Sequence, residues 1–110
     1  MEELYRRLEE QIALCRENCQ GYRDDAFDSV VWASKLETLE EFFHLLKEGL
    51  PAGGMLTDLK EQMPALEERR EQEAEYPSFD WYDDHYHYKV LDGRHKACKD
   101  MIELLEKYRP

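Results

Sequence analysis

Residues 81–91 read WYDDHYHYKVL, and whether they form a helix or a strand decides the fold. As a strand, Tyr82, Asp84, Tyr86, Tyr88 and Val90 alternate with Asp83, His85, His87 and Lys89, and Asp92-Gly93 becomes a turn. As a helix, Tyr88, Leu91, His95, Cys98, Ile102 and Leu105 form one continuous stripe, with Gly93 an interior glycine costing about 1 kcal/mol relative to alanine. The chain offers no second strand, and a lone one would leave its backbone N–H and C=O groups without partners. The helix is therefore the better reading, and it makes the chain all-α.

Working outward, Leu4, Leu8, Ile12, Cys15 and Cys19 recur at spacings of four and three, which places them on one stripe of a first helix that Gly21 can end. Asp24 or Asp25 can cap a second helix running to about Glu48, with Asp28 adding negative charge to its first turn. Its stripe, Trp32, Leu36, Leu39, Phe43 and Leu46, is widened by Val31, Phe42 and Leu45, which makes it the candidate central helix. The sequence GLPAGG at 49–54 holds a capping glycine, a proline and two more glycines, so the chain should reverse there.

Thr57 is positioned to cap a third helix carrying Leu56, Leu59, Met63 and Leu66 inward. Pro64 lacks an N–H and crowds the preceding turn, so a kink or restart is expected. The following ALEERREQEAE has no apolar stripe and reads as a solvated helix end. The pattern as a whole predicts one domain over 1–110: a small antiparallel bundle of about four helices, the third kinked or broken at Pro64.

The composition fits this. The 110 residues are enough for one core and 37% are charged, an excess suited to solvated helix surfaces. With 26 acidic and 15 basic residues, the net charge of −11 opposes phosphate backbones and anionic membranes, so neither direct nucleic-acid binding nor membrane binding is expected. No apolar run is long enough to span a bilayer, and Met1 to Arg7 lack the apolar core of a signal peptide, which suggests a cytoplasmic protein. Three cysteines without dense spacing suit reduced thiols better than a disulfide framework.

Four groups of residues invite a chemical reading. Glu41-x-x-His44 and Asp92-x-x-His95 resemble the carboxylate-x-x-His pairs of di-iron bundles, but Glu41 lies about 200° around its helix from Leu39 and so faces solvent. Cys15, Cys19, His95 and Cys98 all fall on inward stripes and form a conceivable structural zinc set, against which stands their ordinary use as core filler. An Asp83, His85, His87 metal triad requires the strand. No cysteine has the electropositive setting of a nucleophile, and GLPAGG lacks the Lys-Ser/Thr of a phosphate loop, so neither an enzyme nor a cofactor is expected.

The fourth group is YPSFDWYDDHYHY at 76–88, six aromatic residues interleaved with acids and histidines. Half of these rings could simply close the end of the bundle. The other reading is a protein-binding patch of Tyr76, Phe79, Trp81, Tyr82, Asp83, Asp84 and Tyr86, in which rings anchor and carboxylates steer toward a basic partner. The expected function is a non-enzymatic interaction module, an inhibitor, immunity-type antidote or adaptor. Two alternatives are a nucleic-acid mimic that occupies a basic groove and a small structural zinc protein. A homodimer on the broad apolar face of the second helix is compatible with any of them.

Overall fold

The computed structural model describes residues 2–21, 26–75 and 81–108. They form four helices, α1 (Glu2–Gly21), α2 (Ala26–Lys47), α3 (Ala52–Glu75) and α4 (Trp81–Tyr108), with no strand among the described residues. Residues 81–91 are the first turns of α4, which settles the reading on which the fold depended. The 3.5-residue spacing of α1 becomes its buried face: Leu4, Leu8, Ile12 and Cys15 are buried, and Cys19 at the end of the stripe is half-buried.

The central helix is α4 rather than α2: it packs extensively against α2 and α3 and, over a smaller area, against α1, which rests mainly on α2. Apolar width on α2 signalled many contacts but not which helix would touch every other. Leu91, Ala97, Cys98, Met101 and Leu105 of α4 meet Leu39, Phe42 and Leu46 of α2, the α1 stripe, and Met55, Leu56, Leu59 and Leu66 of α3 in one core. Contacts at Lys60–Glu106 and Arg70–Asp92 make α3 and α4 antiparallel. Those at Ser34–Val90 and Lys35–Asp100 make α2 and α4 parallel. The most extensive contact in the bundle is thus between two parallel helices that are not consecutive in the chain.

Gly93 makes that contact close. A Cβ there would sit 2.7 Å from Ser34 Cβ and 3.0 Å from the Lys35 backbone nitrogen, and would collide with the Val31 carbonyl oxygen. About one turn earlier on α4 in the same interface, Ser34 Oγ donates to the Val90 carbonyl at 2.6 Å. Glycine, unfavourable within an isolated helix, is here what allows two backbones to meet.

The reversal at 49–54 forms as expected at its first half. Gly49 has φ of 104°, its N–H bonds the Leu46 carbonyl at 3.2 Å, and Leu50 N–H reaches back to the Leu45 carbonyl at 3.0 Å. These two bonds constitute a Schellman cap. The second half differs from expectation: α3 begins at Ala52, the Pro51 carbonyl accepts the Met55 N–H at 3.0 Å, and Gly53 and Gly54 lie inside the first turn. Thr57 is consequently not a cap, and its hydroxyl donates to the Gly53 carbonyl one turn back. Nor does the chain restart at Pro64, through which α3 continues without a break. Buried Met55, Leu56 and Leu59 before it and Leu66 after it hold both halves against the core, and Pro64 is exposed, so the Lys60 carbonyl that loses its partner faces the solvent side.

At the C-terminal end of α2, Tyr5 fixes α1 to it. The ring packs edge-on against Phe43 at 5.9 Å, its hydroxyl donates to the Leu46 carbonyl at 3.1 Å, and Lys47 Nζ lies 4.7 Å from its centroid. All four elements are thus held by a shared apolar core plus polar contacts across the α1–α2, α2–α4 and α3–α4 interfaces.

Candidate functional site

The densest polar arrangement among the described residues lies between α3 and α4. Asp92 and His95 lie three residues apart on the face of α4 turned to α3 and are both buried, at 9% and 8% exposure. Arg70 Nη1 lies 3.1 Å from Asp92 Oδ1 and 3.3 Å from His95 Nδ1. The other carboxylate oxygen, Asp92 Oδ2, accepts from Lys96 Nζ at 2.6 Å, and His95 Nε2 lies 3.2 Å from Glu67 Oε1. Five side chains from two helices form one chain of contacts, and no buried side-chain N or O atom among the described residues lacks a partner.

Around α4 from this seam, a groove of about 570 Å³ opens between α2 and α4. Val31 and Trp32 form its apolar wall; Lys35, Lys96, Lys99, Asp92, Asp100 and Glu103 supply its charges. Most of these charges are already engaged with one another: Lys35 binds Asp100 at 2.7 Å while its Nζ sits 5.2 Å from the Trp32 ring, and Lys96 binds Asp92. Equal numbers of lysines and acids make it a locally neutral patch on a strongly acidic chain.

The proposed zinc set does not come together. His95 is turned to Glu67 and Arg70, and among the described residues no group of three or more His, Cys, Asp or Glu side chains is placed to hold a metal ion. Burial raises the thiols of Cys15 and Cys98, and to a lesser depth Cys19, above the ordinary range; Lys35 opposes this at Cys15 and Arg94 at Cys98. They are packing groups. Glu41 is exposed, and His44 pairs with Glu48 at the surface, as the angular argument against a di-iron centre requires. The alternation underlying an Asp83, His85, His87 triad is absent, because those positions lie on helical backbone.

Of the expected partner-binding residues, Tyr76 and Phe79 lie outside the described residues, as do the side chains of Trp81, Tyr82, Asp83, Asp84 and Tyr86. The backbone positions of the last five are nevertheless informative. The pairs Glu67–His95 and Arg70–Asp92 set a register at which Glu75, the end of α3, lies level with His87. The first six residues of α4 then run past the end of α3 by about 9 Å, at 1.5 Å per residue.

Arg70 and Glu67 were not singled out by the sequence, and Asp92 was weighed only as half of a di-iron-type pair with His95 or as part of a turn. Arg70 sits in a run with no apolar periodicity, and Asp92 invited reading as a turn. The available signal was Asp92 and His95 themselves, a carboxylate and an imidazole three residues apart beside an apolar stripe, which require a partner if buried. The chain matches no protein-family model, no curated protein and no solved structure.

Proposed function

We propose that this chain is a non-enzymatic, acidic protein-interaction module that binds a basic protein surface through the segment from Tyr76 to Tyr88. The observation that carries this reading is the overhang: the helical part of the most aromatic and acidic stretch in the sequence extends beyond the end of α3. Exposed Glu68 and Glu71 on the last turns of α3 add to the negative field at that end. Long-range attraction speeds the approach of a basic partner, and aromatic rings supply the contact area that holds it. An inhibitor, an immunity-type antidote and an adaptor all use such a surface, and a cytoplasmic setting suits its reduced thiols.

The test is affinity capture from native cells with the wild-type chain and with a folded Trp81→Ala, Tyr82→Ala double variant. The expected result is a basic protein whose retention falls at least tenfold in the variant and weakens with added salt. Equal retention by both chains would remove this segment as the site. Displacement of that partner by nucleic acid would instead favour mimicry of a phosphate backbone.

A further inference from the structure

Arginine carries only hydrogen-bond donors. Where Arg70 Nη1 approaches His95 Nδ1 at 3.3 Å, the imidazole nitrogen must therefore accept, and the ring proton must reside on Nε2, which donates to Glu67 Oε1 at 3.2 Å. The observed geometry thus belongs to neutral His95 in a single tautomer. A proton added at Nδ1 would point at a guanidinium and abolish that contact.

A carboxylate that can accept such a proton stands on the same helix face. Asp92 lies three residues before His95 on the same helix face, and its Oδ1 is the atom that Arg70 holds. Protonated His95 therefore competes with Arg70 for Asp92. The competition is between a bond across two helices, Arg70 of α3 to Asp92 of α4, and a bond within α4 alone. We propose that His95 is a proton-operated clasp: neutral, it helps lock α3 onto α4, and protonated, it draws Asp92 to itself and releases Arg70 and the C-terminal turns of α3.

The surrounding charges are consistent with such an exchange. From α3, Glu67 and Arg70 face the ring; Glu67 is 52% exposed and can follow the imidazole in either state. On α4, Lys96 holds Asp92 Oδ2 and leaves Oδ1 as the contested atom. From α2, Lys35 is committed to Asp100 and the charge of Glu41 is felt at Cys98, one turn beyond His95. Only Arg70 needs to move away, and at 28% side-chain exposure it has a route to solvent.

The segment freed by this exchange runs from Arg70 to Glu75 and leads directly into residues 76–80 and the overhang of α4. Resting on the function proposed above, the clasp regulates how the partner-binding segment is presented, so partner affinity falls in acid. The clasp itself stands or fails independently of any partner.

Two measurements on the intact chain test it. Nitrogen-15 NMR of the imidazole at neutral pH should show His95 as the Nε2–H tautomer; an Nδ1–H tautomer or an imidazolium there overturns the proposal. Hydrogen exchange at Arg70 to Glu75, corrected for the intrinsic pH dependence, should accelerate about tenfold between neutral and acidic solution, the factor expected for losing one charge-assisted hydrogen bond. In His95→Asn that step should vanish. The same step in the variant, or its absence from the wild type, overturns the clasp. With the clasp established by these readouts, an unchanged partner affinity in acid would refute only its regulatory consequence.

Discussion

Asp92, Gly93 and His95 lie within one turn of α4, yet they fasten it to its neighbours in opposite ways. At Gly93 the contact with α2 exists because a side chain is missing: backbone meets backbone, with the Ser34 hydroxyl bonded to the Val90 carbonyl beside it. At Asp92 and His95 the contact with α3 exists because long side chains reach across, and every link is ionic or charge-assisted. The first joint is short-ranged, indifferent to salt and intolerant of one added carbon. The second is adjustable, sensitive to protons and ions, and can be altered at one residue without collapsing the others.

The largest expected effect follows from filling the first joint. Gly93→Ala should cost about 3 kcal/mol or more in chemical denaturation, because the new methyl meets two backbone atoms as well as Ser34 Cβ and the helices must separate. Adding Ser34→Gly to it should restore little, since the Val31 carbonyl and Lys35 nitrogen remain in the way; substantial rescue would show that the side chain, not the backbone, sets the distance.

Breaking the second joint should matter less. Asp92→Ala strips partners from both Arg70 and Lys96, but those cations are 28% and 52% exposed and can rehydrate, so a loss of about 1–2 kcal/mol is expected, shrinking as salt is added. Ser34→Ala removes a single neutral hydrogen bond and should cost about 1 kcal/mol with no salt dependence. Smallest of all, a double-mutant cycle on Arg16 and Glu40, an exposed pair at 2.8 Å, should return a coupling of about 0.5 kcal/mol or less.

The thiols report on the same packing without substitution. Burial raises Cys15, Cys98 and Cys19, so each stays protonated to higher pH in the folded chain than in the unfolded one. The stabilisation from keeping them neutral is complete below the ordinary thiol range and is lost as pH climbs through the raised values. Alkylation of the native protein at mildly alkaline pH should modify half-buried Cys19 first, with buried Cys15 and Cys98 reacting only on unfolding.

How much of this was legible in the sequence tracks how local the cause is. The α1 stripe, the cap at Gly49 and the end of α2 depend on neighbours a few residues away, and they appear as read. The start of α3 was misread because Pro51 can open a helix whose first turn contains Gly53 and Gly54, and local propensity favoured delaying it to Thr57. Of the kink or restart expected at Pro64, the restart is absent for a tertiary reason: buried leucines on both sides override a break that an isolated helix would make.

The centrality of α4 and the value of Gly93 were not legible, since both depend on which helix lies opposite. Val31, Ser34 and Lys35 precede Gly93 by about sixty positions, and no periodicity connects them. The Arg70–Asp92–His95 seam was hidden in the same way, inside a stretch whose lack of apolar residues correctly implied solvent on one face but said nothing of the other.

The order of the four helices has a consequence for biosynthesis. The helix that completes the core is the last of the four to be translated: as α1, α2 and α3 leave the ribosome, α1 and α2 can pair, whereas α3, whose extensive contact is with α4, has no surface to close on. Completion of the core must await α4, and nascent chains carrying only the first three helices should be the species most prone to aggregate or to engage chaperones.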